Sequence, residues 1–319
     1  MVTQARDRSD FDIRRSLAIL EISPRSFYRW RREGKEAVAN RPKSAPGTLY
    51  AVLPSERRAI LEYALKYPTL RHRELAWKMV DDGACCVSPS SVYRVLLEAN
   101  LVCRWTPRTK VRGQGRADRP SRPDEVWQVD IRYTQVEGKN YYLLSFMDVY
   151  SRYIVHHELL RWMDGTSVSI AAAEAVSALP SGVRPTIQSD HGSCFISREF
   201  AETLSGLGIP HVKIRPHTPT DNAEIERCQR TIGEKLDEYD LEDVAYARQV
   251  VKDVIDQYNQ IRLHSALSFL RPVDYYRGDP ETLLAERRRK LTTAREFRKQ
   301  ENLKLRQRRP PFTEDKTVA

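Results

Sequence analysis

The sequence contains little of what several protein classes require. It has five cysteines among 319 residues, no Cys-x-x-Cys pair, and no accompanying histidine pair at zinc-finger spacing. Neither a zinc finger nor a disulfide framework is therefore expected. No apolar run approaches the roughly 18 residues of a membrane-spanning helix. Residues 1–12 are charged and lack the apolar stretch of a secretory signal. We therefore expect a cytoplasmic protein with no membrane partner.

Charge is distributed unevenly along the chain. Residues 1–123 hold 25 Lys and Arg against 13 Asp and Glu (+12), residues 124–276 hold 15 against 23 (−8), and residues 277–319 hold 13 against 7 (+6). An acidic centre flanked by basic segments suits a protein that binds a polyanion such as DNA. The alternative is that the basic segments are only solvated surfaces, and for residues 277–319 the two interpretations are equally good.

Three acidic residues stand in apolar or rigid surroundings. Asp130 lies within an apolar, strand-like run, and Asp190 ends another. Glu226 falls in the first turns of a helix that Asp221 or Asn222 could cap. A single such carboxylate is more often a turn or cap residue, but three that converge would repel one another unless divalent cations neutralise them. Carboxylate oxygens suit magnesium or manganese, and two such ions about 3.5–4 Å apart can promote phosphodiester chemistry.

The spacing and surroundings of these acids resemble a known family signature. Because 35 residues separate Asp190 from Glu226, the three acids look like the Asp-Asp-35-Glu (DDE) signature of retroviral-integrase-like transposases. More specifically, the chain resembles bacterial insertion-sequence transposases with an integrase core. The matching segments are Trp127–Asp130, Phe146–Arg152, Ser189–Ser193, Thr218–Ala223 and Tyr258–Leu267. The resemblance implies that Asp130, Asp190 and Glu226 are catalytic and hold two divalent metal ions, Mg²⁺ or Mn²⁺.

The predicted elements of the centre follow the order of an RNase H-like fold. The patterns predict strands at 126–134, 141–148, 153–159, 186–190 and 211–214, and helices at 166–178 and 198–207 before the Glu226 helix. This order makes a mixed five-stranded sheet. It places Asp130 on the first strand beside Asp190 at the end of the fourth. We expect Asp148 to be structural and to pair with Arg152.

The whole chain is predicted to be multidomain, with all-α helix-turn-helix units before the α/β core and a helical basic tail after it. Ser23-Pro24 and Ser88-Pro89 each predict a helix cap followed by proline at the first helical position. One such unit could equally be a helical bundle, but two basic copies favour DNA binding. The predicted segments are a helix-turn-helix (1–34), a linker (35–54), a second helix-turn-helix (55–103), a basic linker (104–123), the catalytic core (124–276) and the tail (277–319).

Candidate DNA-contacting residues are basic and lie outside the buried runs. They are Arg25, Arg29, Arg32, Arg94, Arg112, His217, Arg227 and Arg230. Arg230 shares a helix face with Glu226, and the alternative for it is an internal Glu–Arg pair. Gly233, next on that face, has no side chain, whereas retroviral integrases place a second basic residue there. We expect the basic linker and the arginines of the tail to bridge DNA between subunits.

The resemblance implies a DNA transposase that binds the terminal repeats of a mobile element as double-stranded DNA. It would cleave the ends by hydrolysis and join the 3′-hydroxyl to target DNA. Such a protein would be bacterial, associated with the nucleoid when bound to DNA, and assembled on DNA as a homo-oligomer. Two alternatives remain. One is a catalytically idle DNA-binding regulator, which the intact triad disfavours. The other is an RNase H-like structure-specific nuclease, which the paired N-terminal units disfavour.

Overall fold

The chain forms two compact units, residues 1–101 with 289–319 and residues 102–288. The structure is a computed structural model, and it describes residues 49–102, 120–214 and 222–307, together with Leu17 and Pro24. Leu17 is buried within a helix, and Pro24 is an exposed helical residue. The rest of the first predicted helix-turn-helix and most of the basic linker lie outside the described residues.

Three helices make up the described N-terminal part of the first unit. They are α1 (Pro54–Lys66), α2 (His72–Asp81) and α3 (Pro89–Glu98). The helices bury Ile60, Met79 and Val92 completely, and residues 82–88 connect α2 to α3. Helix α3 begins as its Ser-Pro pair predicts, because the Ser88 Oγ accepts a hydrogen bond from the Ser91 N–H at 3.3 Å.

The second unit is built on a mixed sheet. Its strands are β1 (Val126–Val136), β2 (Lys139–Asp148), β3 (Ile154–Leu160), β4 (Thr186–Ser189) and β5 (His211–Lys213). The spatial order is β3-β2-β1-β4-β5. Strands β1 to β3 pair antiparallel, whereas β4 is parallel to both β1 and β5. The predicted five-stranded sheet is therefore confirmed, and β1 is its central strand.

Helices cover both faces of this sheet. The elements are α4 (Gly165–Ser177), α5 (Arg198–Gly206), α6 (Ala223–Leu236), α7 (Val244–Gln260), a short 3₁₀ turn (Ser265–Leu267) and α8 (Pro272–Tyr276). One buried cluster joins the sheet to α4 and α5 and includes Trp127 and Val129 of β1. The other joins the sheet to α6 and α7. Because successive strand residues alternate between faces, Gln128, Asp130 and Arg132 lie on the α6 side. This layered order is the predicted RNase H-like fold.

The last turn of α7 closes the core against edge strand β3. The Asn259 Oδ1 accepts the Ile154 N–H at 2.9 Å, and its Nδ2 donates to the Ile154 carbonyl at 3.0 Å. The side chain thus pairs with β3 as a neighbouring strand would. The His264 ring packs edge-on against Tyr258, with ring centroids 4.8 Å apart.

Asp148 has the structural role expected of it, but with other partners. Its carboxylate is fully buried and accepts the Asp124 N–H at 3.0 Å and the Ser151 N–H at 2.7 Å. The expected pairing of Asp148 with the Arg152 side chain is wrong, because the Arg152 guanidinium reaches Glu224 instead, at 3.2 Å. Arg152 adopts a left-handed backbone conformation with φ 64°.

The final helix, α9 (Pro280–Gln307), is helical as predicted. Arg287 donates to the carbonyls of Ser268 and Phe269 at 3.0 and 2.9 Å. Arg298 donates to the Cys86 carbonyl at 3.2 Å. Both arginines are buried. The expectation that the arginines of the tail are free to bridge DNA is therefore wrong for these two, because their donors are already bound within the protein. No helix in the described ranges is both long and apolar enough to cross a membrane.

Candidate active site

The sheet brings Asp130 and Asp190 to corresponding positions of neighbouring strands. Gln128 of β1 lies opposite Gln188 of β4 in the parallel ladder, and each aspartate follows its glutamine by two residues. Asp190 lies just beyond the end of β4, where the Gly192 N–H donates to its Oδ1 at 2.9 Å. A Cβ atom at residue 192 would lie 3.0 Å from that oxygen, so glycine allows this close approach.

Two glutamines fix α6, the helix of Glu226, to β1. The Gln128 Oε1 accepts the Ile225 N–H at 3.2 Å, and the Gln229 Nε2 donates to the Asp130 carbonyl at 3.3 Å. Gln128 therefore serves as the cap of α6 from another element. Because both side chains bond to backbone groups, they set the position of Glu226 relative to Asp130.

The predicted cap of this helix is wrong in one respect. Asn222 occupies the N-cap position, but its side chain makes no cap hydrogen bond, and its backbone has φ −118° and ψ 9°. A capping side chain normally requires an extended backbone. The Asn222 Oδ1 is buried without a partner. Asp221, the other predicted cap, lies outside the described residues.

An ion pair anchors the first turn of α6 to the turn between β2 and β3. The Arg152 Nη2 lies 3.2 Å from the Glu224 Oε1, and each side chain is 11% exposed. Removing one partner of a buried ion pair leaves an uncompensated charge, which costs about 3–5 kcal/mol. The Phe146–Arg152 segment therefore affects the site indirectly, because its Arg152 holds the first turn of α6 in position.

Electrostatics at the site centre on Asp130. The pKa of its carboxyl is raised to about 7, mainly by burial and also by the charges of Asp190 and Glu226, against a hydrogen bond from the Ile131 N–H that lowers it. Within the described ranges, none of the three acids forms an ion pair with a basic side chain. Asp130 is thus close enough to the other two acids to feel their charge, and that charge is left unbalanced.

This donor set fits divalent cations. All three side chains offer carboxylate oxygens, the ligands that magnesium and manganese prefer, and their mutual repulsion is relieved by bound positive charge. The buried Asn222 Oδ1, four residues before Glu226, is a further oxygen without a partner.

The tightest group of possible metal ligands in the described ranges is a different one. One ligand atom each from His156, Glu158 and Glu174 lies within 4.8 Å of the others. His156 stands opposite Phe146, which belongs to the cluster under α4 and α5. This group therefore lies on the sheet face opposite Asp130.

The structure describes three of the eight candidate DNA-contacting residues. Arg94 is exposed on α3, and Arg227 and Arg230 are exposed on α6. In the described part of the chain, Glu226 and Arg230 form no ion pair, so the alternative of an internal pair is not met. The other five, Arg25, Arg29, Arg32, Arg112 and His217, lie outside the described residues.

Sequence analysis missed four side chains that build this site. Gln128, Gln229, Arg132 and Glu224 position α6 or line its face toward β1. For Gln128 and Arg132 the sequence did carry a signal. Each lies two residues from Asp130, so all three share one face of the strand.

Comparisons with known proteins define the class of this fold and site. Residues 120–219 match one family model described as an integrase core domain, and residues 207–272 match a second model with the same description. Residues 120–272 are therefore similar to integrase core domains.

Similarity to individual proteins extends beyond the core. The chain is 27% identical over 289 residues to an uncharacterized 39.2 kDa protein of insertion element IS476 from Xanthomonas euvesicatoria, covering 86% of this chain and 78% of that protein. It is 28% identical over 155 residues to the transposase of insertion sequence element IS904 from Lactococcus lactis, covering 48% and 61%. A solved HTLV-2 integrase catalytic core domain in complex with magnesium is 20% identical, with a TM-score of 0.42 over 50% of this chain and 99% of that one. The two family models and the insertion-element relatives confirm the resemblance to insertion-sequence transposases with an integrase core.

Proposed function

We propose that this protein is a DDE-type DNA transposase. It binds the terminal repeats of a mobile element, hydrolyses a phosphodiester at each end and joins the freed 3′-hydroxyl to target DNA. The observation that carries the proposal is the grouping of Asp130, Asp190 and Glu226, in which Asp130 has a pKa of about 7 because of burial and its two acidic neighbours. A protein that only binds DNA gains nothing from three acids that destabilise one another.

Each residue of the site has a specific task in this proposal. Asp130, Asp190 and Glu226 would hold two divalent cations, Mg²⁺ or Mn²⁺, which when bound supply charge neutralisation and activation of the attacking oxygen. Gln128 and Gln229 keep Glu226 at a fixed distance from β1 through their backbone hydrogen bonds. The Gly192 N–H orients the Asp190 carboxylate. No covalent protein intermediate is needed for in-line displacement.

The DNA is bound mainly outside the acidic core. Residues 1–123 carry a net charge of +12, and Arg94 and Arg230 expose guanidinium groups. Arg25, Arg29, Arg32, Arg112, His217 and Arg227 complete the proposed contacts. One chain has one triad, and two element ends must be processed together, so we propose a homo-oligomer assembled on DNA.

The test measures metal-dependent cleavage and joining on duplexes that carry the inverted repeats flanking the gene. Asp130→Asn, Asp190→Asn and Glu226→Gln should each reduce both activities at least about a thousandfold, because each removes a ligand charge while keeping the side-chain shape. DNA binding by gel shift should stay within about threefold of wild type, since the N-terminal segment supplies most phosphate contacts. Chelation should stop the reaction, and Mg²⁺ or Mn²⁺ should restore it.

Glu199→Gln is a matched control, because it removes an exposed acid of the same unit outside the triad. Near-wild-type joining by any triad variant would contradict the assigned triad. Cleavage of branched DNA without end joining would favour the nuclease, and binding without either activity in the wild type would favour the regulator.

A further inference from the structure

Arg132 lies on the face of β1 that carries the proposed catalytic acid. It follows Asp130 by two residues, so both side chains leave the strand on the side of α6. The contacts between β1 and α6 form a regular series. Gln128 bonds to Ile225 at the start of the helix, Gln229 bonds to the Asp130 carbonyl, and the Arg132 guanidinium lies against Gly233.

Gly233 makes room for this guanidinium. A Cβ atom built at residue 233 would lie 2.0 Å from the Arg132 Cζ and 2.3 Å from its Nη1. No side chain could occupy position 233 without displacing the guanidinium. The arginine from β1 therefore places a positive charge where α6 itself has no side chain.

This position lies on the same helix face as Glu226. Glu226, Arg230, Gly233 and Asp237 recur at intervals of four, three and four residues, which is the spacing of one α-helical face. Arg230 and the Arg132 guanidinium thus form a row of two positive charges along this face of the helix, beginning one turn after Glu226.

The local protein restrains Arg132 only weakly. Its Nη2 lies 3.7 Å from the Asp237 Oδ1, and the two side chains are 31% and 73% exposed. Such an exposed, long ion pair adds little stability. The Arg132 side chain is accordingly only partly buried, and its guanidinium is free of a strong ion pair that would compete with a ligand. Residues 124–276 have a net charge of −8, so a cation beside the site matters for any approach of DNA.

We propose that Arg132 is a phosphate-binding positioning residue, and that Gly233 is the matching gap that lets its guanidinium face the DNA along α6. This inference rests on the proposed transposase function. The ligand is the backbone of the DNA end that enters the site, because a guanidinium binds phosphate through paired N–H donors and without regard to base sequence.

Four variants of the full-length chain test the proposal. Arg132→Ala removes the charge, whereas Gly233→Ala keeps the charge and displaces the guanidinium with a Cβ atom. Both should lower end joining about tenfold or more and should reduce the salt slope of DNA binding by about 0.9, the value for one lost phosphate contact. The double variant R132A/G233R returns a guanidinium to the same face from the helix and should recover activity to within about threefold of wild type.

Asp237→Asn is the matched control for a structural role. It breaks the ion pair and leaves the Arg132 guanidinium in place, so joining and the salt slope should not fall. The probes are a fluorescent 30-base-pair duplex of the flanking inverted repeat and a scrambled duplex of the same composition. Fluorescence anisotropy at several NaCl concentrations gives the salt slope, and thermal unfolding midpoints check that each variant is folded. Both duplexes should lose affinity to the same extent, since the contact is to phosphate.

The outcomes separate this inference from the proposed function. An active wild type with R132A and G233A unchanged in joining and in salt slope overturns the role of Arg132 alone. So does an equal loss in D237N, or a double variant that stays as impaired as R132A. A wild type that neither cleaves nor joins either duplex overturns the proposed function, and this inference with it.

Discussion

Single polar side chains in this core replace backbone partners that the elements lack. Gln128 accepts the Ile225 N–H at the start of α6, Gln229 donates to the Asp130 carbonyl, and Asn259 pairs with both backbone groups of Ile154. Each is buried. A buried polar group is costly unless it is hydrogen-bonded, so these residues specify how their elements meet as well as stabilising them.

His264 should make the stability of the core depend on pH. The pKa of its ring is lowered to about 3, mainly by burial and also by the positive charges of Arg262 and Arg152. The unfolded chain, with an ordinary histidine pKa near 6.5, binds the proton first as pH falls. The stability that the neutral His264 ring contributes is therefore fully present above pH 6.5 and is lost as pH falls toward 3. At pH 5 the titration of His264 lowers the free energy of unfolding by about 2 kcal/mol relative to neutral pH.

His264→Phe should remove that dependence. Phenylalanine retains a ring against Tyr258, and the His264 Nε2 has no hydrogen-bond partner to lose. Urea unfolding at pH 7.5 and pH 5 should show that the variant loses about 2 kcal/mol less than wild type between these values. His157, whose pKa burial lowers to about 4, is unchanged in both proteins and acts as an internal reference. An identical loss in both proteins would show that His264 does not titrate as its burial requires.

At the scale of elements, α6 carries Glu226, and the rest of the core holds this helix in place. The helix is capped by Gln128, fixed by the Arg152–Glu224 ion pair and backed by α7. Helix α7 is in turn tied to edge strand β3 through Asn259. The position of Glu226 therefore depends on a chain of contacts that runs from β3 through α7 to α6.

Asn259→Ala should destabilise the core by about 2–4 kcal/mol, because the N–H and carbonyl of Ile154 would be left buried without partners. Gln260→Ala is the matched control, since Gln260 is the exposed next residue of the same helix; it should change stability by less than about 0.5 kcal/mol. Urea unfolding gives both values. Equal effects of the two substitutions would mean that the edge strand does not need its asparagine.

The sequence predicts the helices and strands of this fold better than the side-chain contacts between them. Strand and helix periods locate β1 to β5 and α6 within a few residues, and the spacing of Asp130, Asp190 and Glu226 indicates their grouping. The cap of α6 could not be predicted, because Gln128 lies 97 positions before Ile225. The same holds for Asn259, 105 positions after Ile154, and for the guanidinium of Arg132 over Gly233. Local sequence patterns cannot predict such contacts, because the paired residues are about 100 positions apart and meet only in the folded chain.

At the scale of the whole molecule, the first unit is made from both ends of the chain. Arg298 of α9 lies 3.4 Å from Glu56 of α1, 242 positions earlier, and donates to the Cys86 carbonyl at 3.2 Å. The Asn302 Nδ2 donates to the carbonyls of Leu49 and Ala51 at 3.2 and 3.0 Å. Residues of the predicted segments 35–54, 55–103 and 277–319 thus share a set of partly buried hydrogen bonds.

These shared hydrogen bonds predict that the stability of α1, α2 and α3 depends on α9. Arg298→Ala should cost about 3–5 kcal/mol, because it leaves the buried negative charge of Glu56 without its cation, with only the Leu53 N–H still donating to that carboxylate. Arg306→Ala removes the same charge from an exposed position of α9 and should cost less than about 0.5 kcal/mol. Hydrogen exchange of the amides of α1, α2 and α3 in the full-length protein measures both effects, since these amides report opening of the first unit.

A fragment of residues 1–123 extends the same argument. It retains the net charge of +12 but lacks α9, so its three described helices should exchange faster than in the full chain. Its affinity for the flanking repeats should be weaker than that of the full chain, although its salt dependence stays steep because the phosphate contacts remain. Adding a peptide of residues 280–307 in excess should restore both protection and affinity. Full protection in the fragment alone would mean that α9 packs on these helices without supporting them, and that DNA recognition can be studied apart from the C-terminal end of the chain.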